Sequence, residues 1–211
     1  MKVAILAAGV ERDPEYCRAQ LQAAQRILCA DAGYRLACEL GVRPDAVVGD
    51  FDSLTPEEVA RLEDSGIPVH RYPPEKDQSD LELALDLAAS WGAREVVLLA
   101  ALEGRLDHLL FNLIAALEYA HRLRLRARLL SSVGEVFLVH DEVEIAAREG
   151  WTASFLSLEG ETTGITLEGF RYPLVEESLL RHHSRGLSNV VRDPLARVRL
   201  RQGVLLAVLL P

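Results

Sequence analysis

The stretch Val47-Val48-Gly49-Asp50-Phe51-Asp52-Ser53 is where the reading of this chain begins. An apolar run ends in a glycine, and two aspartates follow with one residue between them. If residues 46–48 form a buried strand, Asp50 and Asp52 leave its carboxyl end together. A period of two then points both carboxylates the same way. Paired carboxylates repel unless something neutralises them, and a hard divalent cation does this well. A polar turn before a helix uses the same residues, with Thr55 as the cap, so the stretch alone fits both readings.

Outward from it, short apolar runs at 3–8, 26–30, 46–48, 68–72, 95–100 and 127–131 alternate with helical patterns. The patterns cover 14–24, 34–40, 56–64, 80–90 and 107–122. Two of them open with capping boxes, Thr55-Pro-Glu-Glu58 and Ser79-Asp-Leu-Glu82. Solid apolar strands alternating with helices predict a doubly wound, mostly parallel sheet covered on both faces. After Gly134 the pattern changes. Val143, Ile145, Trp151, Ala153, Phe155, Ile165 and Leu167 fall on period-two faces, glycines punctuate them, and no helix pattern remains. This predicts an antiparallel β-sandwich or partly closed barrel, ending in the apolar run 203–210. The domain boundary is expected within 132–138, giving an α/β domain over 1–134 and an all-β domain over 135–211.

Composition narrows the function. A net charge of −9 over 211 residues argues against nucleic-acid and anionic-membrane partners, which call for basic surface. A hydrophobic fraction of 49% supports real cores, yet no apolar run reaches membrane-spanning length. Cys17, Cys29 and Cys38 are odd in number and form no CxxC pair, so a disulfide framework or structural zinc site is not expected and a reducing cytoplasm is. The opening Lys2–Gly9 segment has the apolar character of a short signal peptide but runs straight into Glu11-Arg12-Asp13. It reads as a first buried strand.

Parallel strands bring their carboxyl ends to one edge, where ligands bind. Asp31-Ala-Gly33 follows the second strand and Asp50 and Asp52 the third. Lys76-Asp77-Gln-Ser-Asp80 follows the fourth, and Gly104-Arg105-Leu-Asp107-His108 the fifth. Each acid alone has an ordinary explanation: Asp80, Asp107 and His108 at helix starts, where acids suit the dipole, and Asp31 as a cap. Together they make an acidic edge that asks for cations, and Mg²⁺ with a polyphosphate explains it best. Lys76, one of only two lysines, and Arg105 suit phosphate oxygens, while the Gly104 amide and the helix start behind it add an anion site. Neither GxxxxGK[ST] nor GxGxxG occurs, so the usual nucleotide loops are not used.

These motifs, in this order, resemble the successive signatures of the thiamine pyrophosphokinase family. Thr163-Gly164, Gly169-Phe-Arg-Tyr-Pro-Leu174 and Ser184-Arg-Gly-Leu-Ser-Asn189 resemble its thiamine-binding β domain, so the likeness covers nearly the whole chain. Three positions depart from the family pattern: Ala32 and Glu103 stand where glycine is usual, and Ser79 where threonine is. The resemblance implies transfer of pyrophosphate from ATP to the thiamine hydroxyl, giving thiamine diphosphate and AMP. It implies Asp50, Asp52 and Asp80 on Mg²⁺, Asp77 and Asp107 as further acids, and Asp31, Gly33, Lys76, Gly104, Arg105 and His108 toward ATP. Ser188 and Asn189 are implied for the thiamine aminopyrimidine, in a homodimer whose site is shared between subunits. Two rival readings share the residues: another Mg²⁺-dependent nucleotidyl- or phosphotransferase on a doubly wound sheet, and a dimeric ligand sensor without turnover.

Overall fold

The computed structural model describes residues 1–211 and divides into two compact units, Met1–Ser132 and Val133–Pro211. In the first, the elements run β1 (Lys2–Leu6), α1 (Pro14–Gln22), β2 (Arg26–Ala30), α2 (Gly33–Leu40), β3 (Ala46–Gly49), α3 (Pro56–Asp64) and β4 (Val69–Arg71). They continue with α4 (Asp80–Ser90), β5 (Glu95–Leu99), α5 (Leu106–Phe111), a π-helical segment (Asn112–Ala116), α6 (Leu117–Arg122) and β6 (Arg126–Ser131). The strands lie in the order β6-β5-β1-β2-β3-β4, every neighbouring pair parallel. The order reverses direction between β1 and β5, which opens a crevice at their carboxyl ends.

Alternation divides the strand residues between two faces. Ala4, Leu6, Cys29, Val47, Val97 and Leu99 pack with Cys17, Leu21, Ala37 and Leu62 from α1, α2 and α3. Val3, Ile5, Leu28, Val48 and Leu98, of the other parity, are also buried. On that side α4 packs against β2 and β3, with Leu81, Ala84, Leu85 and Ala88 buried. Both expected capping boxes are closed, Thr55 with Glu58 and Ser79 with Glu82. Cys17 and Cys29 are buried and Cys38 is exposed, all as free thiols. Burial raises the Cys17 thiol to about 11.

The second unit holds β7 (Gly134–Val139), β8 (Glu142–Ala146), β9 (Thr152–Ser157), β10 (Glu161–Glu168), β11 (Leu174–Leu180), β12 (Asn189–Val190), β13 (Leu195–Arg199) and β14 (Leu205–Leu210), with no helix. Strands β12-β9-β14-β7 and β11-β10-β13-β8 form two antiparallel layers. Phe137, Phe155, Ile165, Leu167, Leu179, Val198 and Leu205 fill the space between them, and Phe155 meets Phe170 edge-on at 5.5 Å. The parallel α/β sheet and the antiparallel β-sandwich expected from the sequence are both present.

One expected element differs in kind. The predicted helix 107–122 contains the π segment Asn112–Ala116, and at its start the Asn112 side chain bonds outward to the loop after β5.

Candidate active site

The acids gather at the carboxyl edge of the parallel sheet: Asp31 follows β2, Asp50 and Asp52 follow β3, Asp77 and Asp80 follow β4, and Asp107 follows β5. The Asp31 N–H donates to Val48 O at 2.8 Å, so β3 sets its position. Carboxylate oxygens of Asp31, Asp50 and Asp52 lie within 4.8 Å of one another, and the three residues run from buried through half-buried to exposed.

The geometry that pairs Asp50 with Asp52 is not the strand pleat expected above. Phe51 takes a left-handed backbone, φ 66°, which a bulky residue adopts only when its surroundings impose it. Here the ring is buried and the Arg71 guanidinium lies over it at 4.9 Å. The chain therefore turns at Phe51, and the Asp52 N–H donates to Asp50 Oδ1 at 3.2 Å. A turn around a buried aromatic, not period-two alternation, brings the two carboxylates together.

Lys76 adds the counter-charge. Its ammonium donates to Asp50 and lies 3.2 Å from Asp80 Oδ1. Burial works to raise the Asp50 carboxyl, but the bonds from Lys76 and the Asp52 amide outweigh it and hold it below its usual value. Asp80 goes the other way: burial raises it more than Lys76 lowers it. Asp31 is raised as well, first by burial and further by the charges of Asp52 and Asp50. Its Oδ1 is buried with no hydrogen-bond partner. Three hard oxygen donors at this spacing, one of them an orphaned lone pair, can hold a hard cation such as Mg²⁺.

Other expected residues occupy varied positions. Asp77 is exposed in the loop between Lys76 and Asp80. Arg105 makes a two-pronged pair with Asp107, at 3.2 and 2.7 Å, and that bond holds the exposed Asp107 carboxyl down at about 2. Gly104 and His108 are exposed on either side. Gly33 packs against β1, where a Cβ would stand 2.0 Å from Leu6 O. Ala32 is compatible with its site because its backbone is right-handed, φ −63° and ψ −6°. Glu103 pairs with Arg12 at 2.8 Å. In the second unit, Asn189 is buried and accepts from Tyr172 N and Val190 N, each at 2.9 Å, while its amide donates to Tyr172 O at 2.7 Å. Ser188 is exposed, and its N–H donates to Ser154 Oγ at 3.1 Å.

Sequence reasoning missed the supports. Gln78 Nε2 donates to Asp86 Oδ2 at 2.8 Å and to Tyr119 Oη at 3.1 Å. Tyr119 Oη donates to Asp86 Oδ1 at 2.8 Å. This closed ring anchors the loop that carries Lys76 and leads into Asp80 to the middle of α4 and to α6. Polar residues within the apolar runs 81–90 and 109–120 were the available signal.

Comparison with known proteins follows the same division. The model of the thiamin pyrophosphokinase catalytic domain matches residues 17–127, and that of the vitamin B1 binding domain matches 140–205. The chain belongs to the thiamin pyrophosphokinase family. A curated relative, the thiamine pyrophosphokinase of Bacillus subtilis (strain 168), is 30% identical over 183 residues, covering 80% of this chain and 84% of its own length. The solved thiamine pyrophosphokinase from Bacillus subtilis superposes with a TM-score of 0.87 at 25% identity, over 100% of this chain and 99% of that one. The one from Geobacillus thermodenitrificans does so at 0.85 and 26%, over 100% and 98%. At 12% identity the yeast enzyme still superposes at 0.80, over 100% and 86%, which speaks to the fold. The chain is thus a member of an enzyme family, and the acidic edge lies in the part that matches its catalytic domain. No helix is long and apolar enough to cross a membrane.

Proposed function

We propose that the chain transfers a pyrophosphoryl group from ATP to the hydroxyl of thiamine, giving thiamine diphosphate and AMP. The observation that carries this reading is the meeting of Asp31, Asp50 and Asp52 at one sheet edge, with Lys76 bridging Asp50 and Asp80. Asp50 and Asp52, with Asp31 through its unpartnered oxygen and Asp80 beside them, would hold Mg²⁺, which would supply charge neutralisation and orientation of the triphosphate. Lys76 and Arg105 take phosphate oxygens, the lysine as a point charge and the arginine as a fork. Each already faces a carboxylate, so phosphate replaces one anion by another.

The thiamine hydroxyl oxygen attacks the β-phosphorus. The bond to the oxygen bridging the α- and β-phosphorus breaks, and AMP leaves with that oxygen. Asp77, Asp107 and His108 are the groups of this edge that can take the hydroxyl proton. Such a reaction needs positioning and charge compensation more than covalent help, which suits a site made of acids and two cations. Ser188 offers its hydroxyl to the aminopyrimidine. Asn189 offers it the amide hydrogen left over from Tyr172, and fixes the Tyr172 backbone.

The same reading takes the working enzyme as a cytoplasmic homodimer. The residues 1–134 side of one subunit supplies ATP and Mg²⁺ sites, and the 135–211 side of its partner supplies thiamine contacts. In support, Leu106 and Leu110 of α5 and Ile114 of the π segment that follows are 69, 52 and 44% exposed, apolar surface that a second subunit would cover.

One incubation of the purified chain with ATP, Mg²⁺ and thiamine tests the reaction, with products identified by mass. AMP and thiamine diphosphate are expected. Free pyrophosphate with a nucleotidylated thiamine would replace the reading by a nucleotidyltransferase, and binding without products would replace it by a sensor.

A further inference from the structure

The loop that carries Gly104 and Arg105 begins in a strained turn. Ala100 lies at φ 53°, a left-handed conformation that alanine holds only when its surroundings over-determine it. Three hydrogen bonds do so. Ala7 N donates to Leu99 O and Gly9 N to Ala100 O, both at 2.9 Å, and Asn112 Nδ2 donates to Ala101 O at 3.0 Å. Gly9 comes so close that a Cβ there would stand 2.2 Å from Ala100 O and 2.6 Å from Glu103 O.

Asn112 is the informative member. It is a buried amide, 9% exposed, in the otherwise apolar run Leu109-Leu-Phe-Asn-Leu-Ile-Ala-Ala116. A buried amide is unfavourable unless bonded, and this one spends its bond on the loop, not on its own helix. It also opens the π segment, a helix irregularity that recurs at functional sites. The Arg12–Glu103 pair holds the same loop from outside, but the Arg12 side chain is 72% exposed, so water competes for it.

We propose that Asn112 is a positioning residue for pyrophosphoryl transfer: by pinning the Ala101 carbonyl it holds the strained turn, and so sets how Gly104 and Arg105 meet the phosphates of the nucleotide. Asn112 itself does not touch substrate. The proposal rests on the reaction given above.

The test is two-substrate kinetics on Asn112→Leu, similar in volume but without a donor. The KM for ATP should rise about fivefold, the scale of one net hydrogen bond at 1.4 kcal/mol per tenfold, with the KM for thiamine within about twofold of the parent. Adding Ala100→Gly should bring the ATP KM back toward the parent value, because glycine accepts the left-handed turn unaided. A general packing defect would not be relieved this way. Unchanged values, an equal rise for both substrates, or an ATP defect that Ala100→Gly leaves in place overturns the proposal. Should Asn112→Leu fail to fold, Asn112→Ser goes through the same measurements and is judged by the same outcomes. If the parent chain does not turn over ATP and thiamine, the reaction is refuted separately. The turn is then judged by hydrogen exchange, which in the variant must quicken about tenfold or more at amides 101–105 and stay unchanged in the strands.

Discussion

Asp31 is the buried member of the carboxylate cluster and Asp52 the exposed one, so neutralising each has a different consequence. Asp52 is exposed, so Asp52→Asn should leave folding nearly untouched and lower turnover by on the order of 100-fold, the scale for losing a charge partner of the transition state. Near-normal turnover at saturating Mg²⁺ would remove Asp52 from the metal site. Asp31 is buried, and burial together with its acidic neighbours disfavours its charge. Asp31→Asn should therefore raise the urea midpoint slightly while weakening Mn²⁺ binding, read by calorimetry, by roughly 10- to 100-fold. A lower midpoint with unchanged Mn²⁺ affinity would assign Asp31 to the scaffold instead.

At the scale of elements, the N-terminus of α3 links pH to stability. Arg35 and the Thr55 amide hold the Glu58 carboxyl at about 2. That lies below the roughly 4.3 of an unfolded glutamate, so this stabilisation is complete above that pH and fades as pH falls toward the folded value. Glu58→Gln should lower the Tm at neutral pH and have almost no effect near pH 2. Equal losses at both would mean that the carboxylate charge is not what caps the helix. The contact of α2 with β1 gives a second prediction. Gly33→Ala places a Cβ 2.0 Å from Leu6 O, and overpacking of this kind should cost about 1–3 kcal/mol in urea unfolding.

For the whole molecule, the shared site is tested by mixing subunits. Asp52→Asn chains and Asn189→Ala chains are unfolded together and reassembled, with folding of each checked by circular dichroism. Asn189→Ala also gives up two hydrogen bonds with Tyr172 and one with Val190, so it should be the less stable of the two. If the site spans subunits, each heterodimer has one intact site and activity returns. Activity equal to the sum of the two mutants, with heterodimers verified by mass, would confine each site to one chain.

The sequence by itself determined the two kinds of sheet, both capping boxes and the edge at which the acids collect, because periodicity, caps and strand ends are local properties. It also carried the family, since those motifs follow strand ends in a set order. Three things needed the folded chain. Phe51 turns because its ring is buried under Arg71, so Asp50 and Asp52 meet through a left-handed residue that no local preference favours. Asp31 joins Asp50 and Asp52 because β2 and β3 are neighbours, a pairing of distant segments that spacing along the chain does not specify. Asn112 reaches Ala101, and Gln78 reaches Tyr119, across 11 and 41 residues. Such contacts are decided by packing, and packing is settled only when the elements come together.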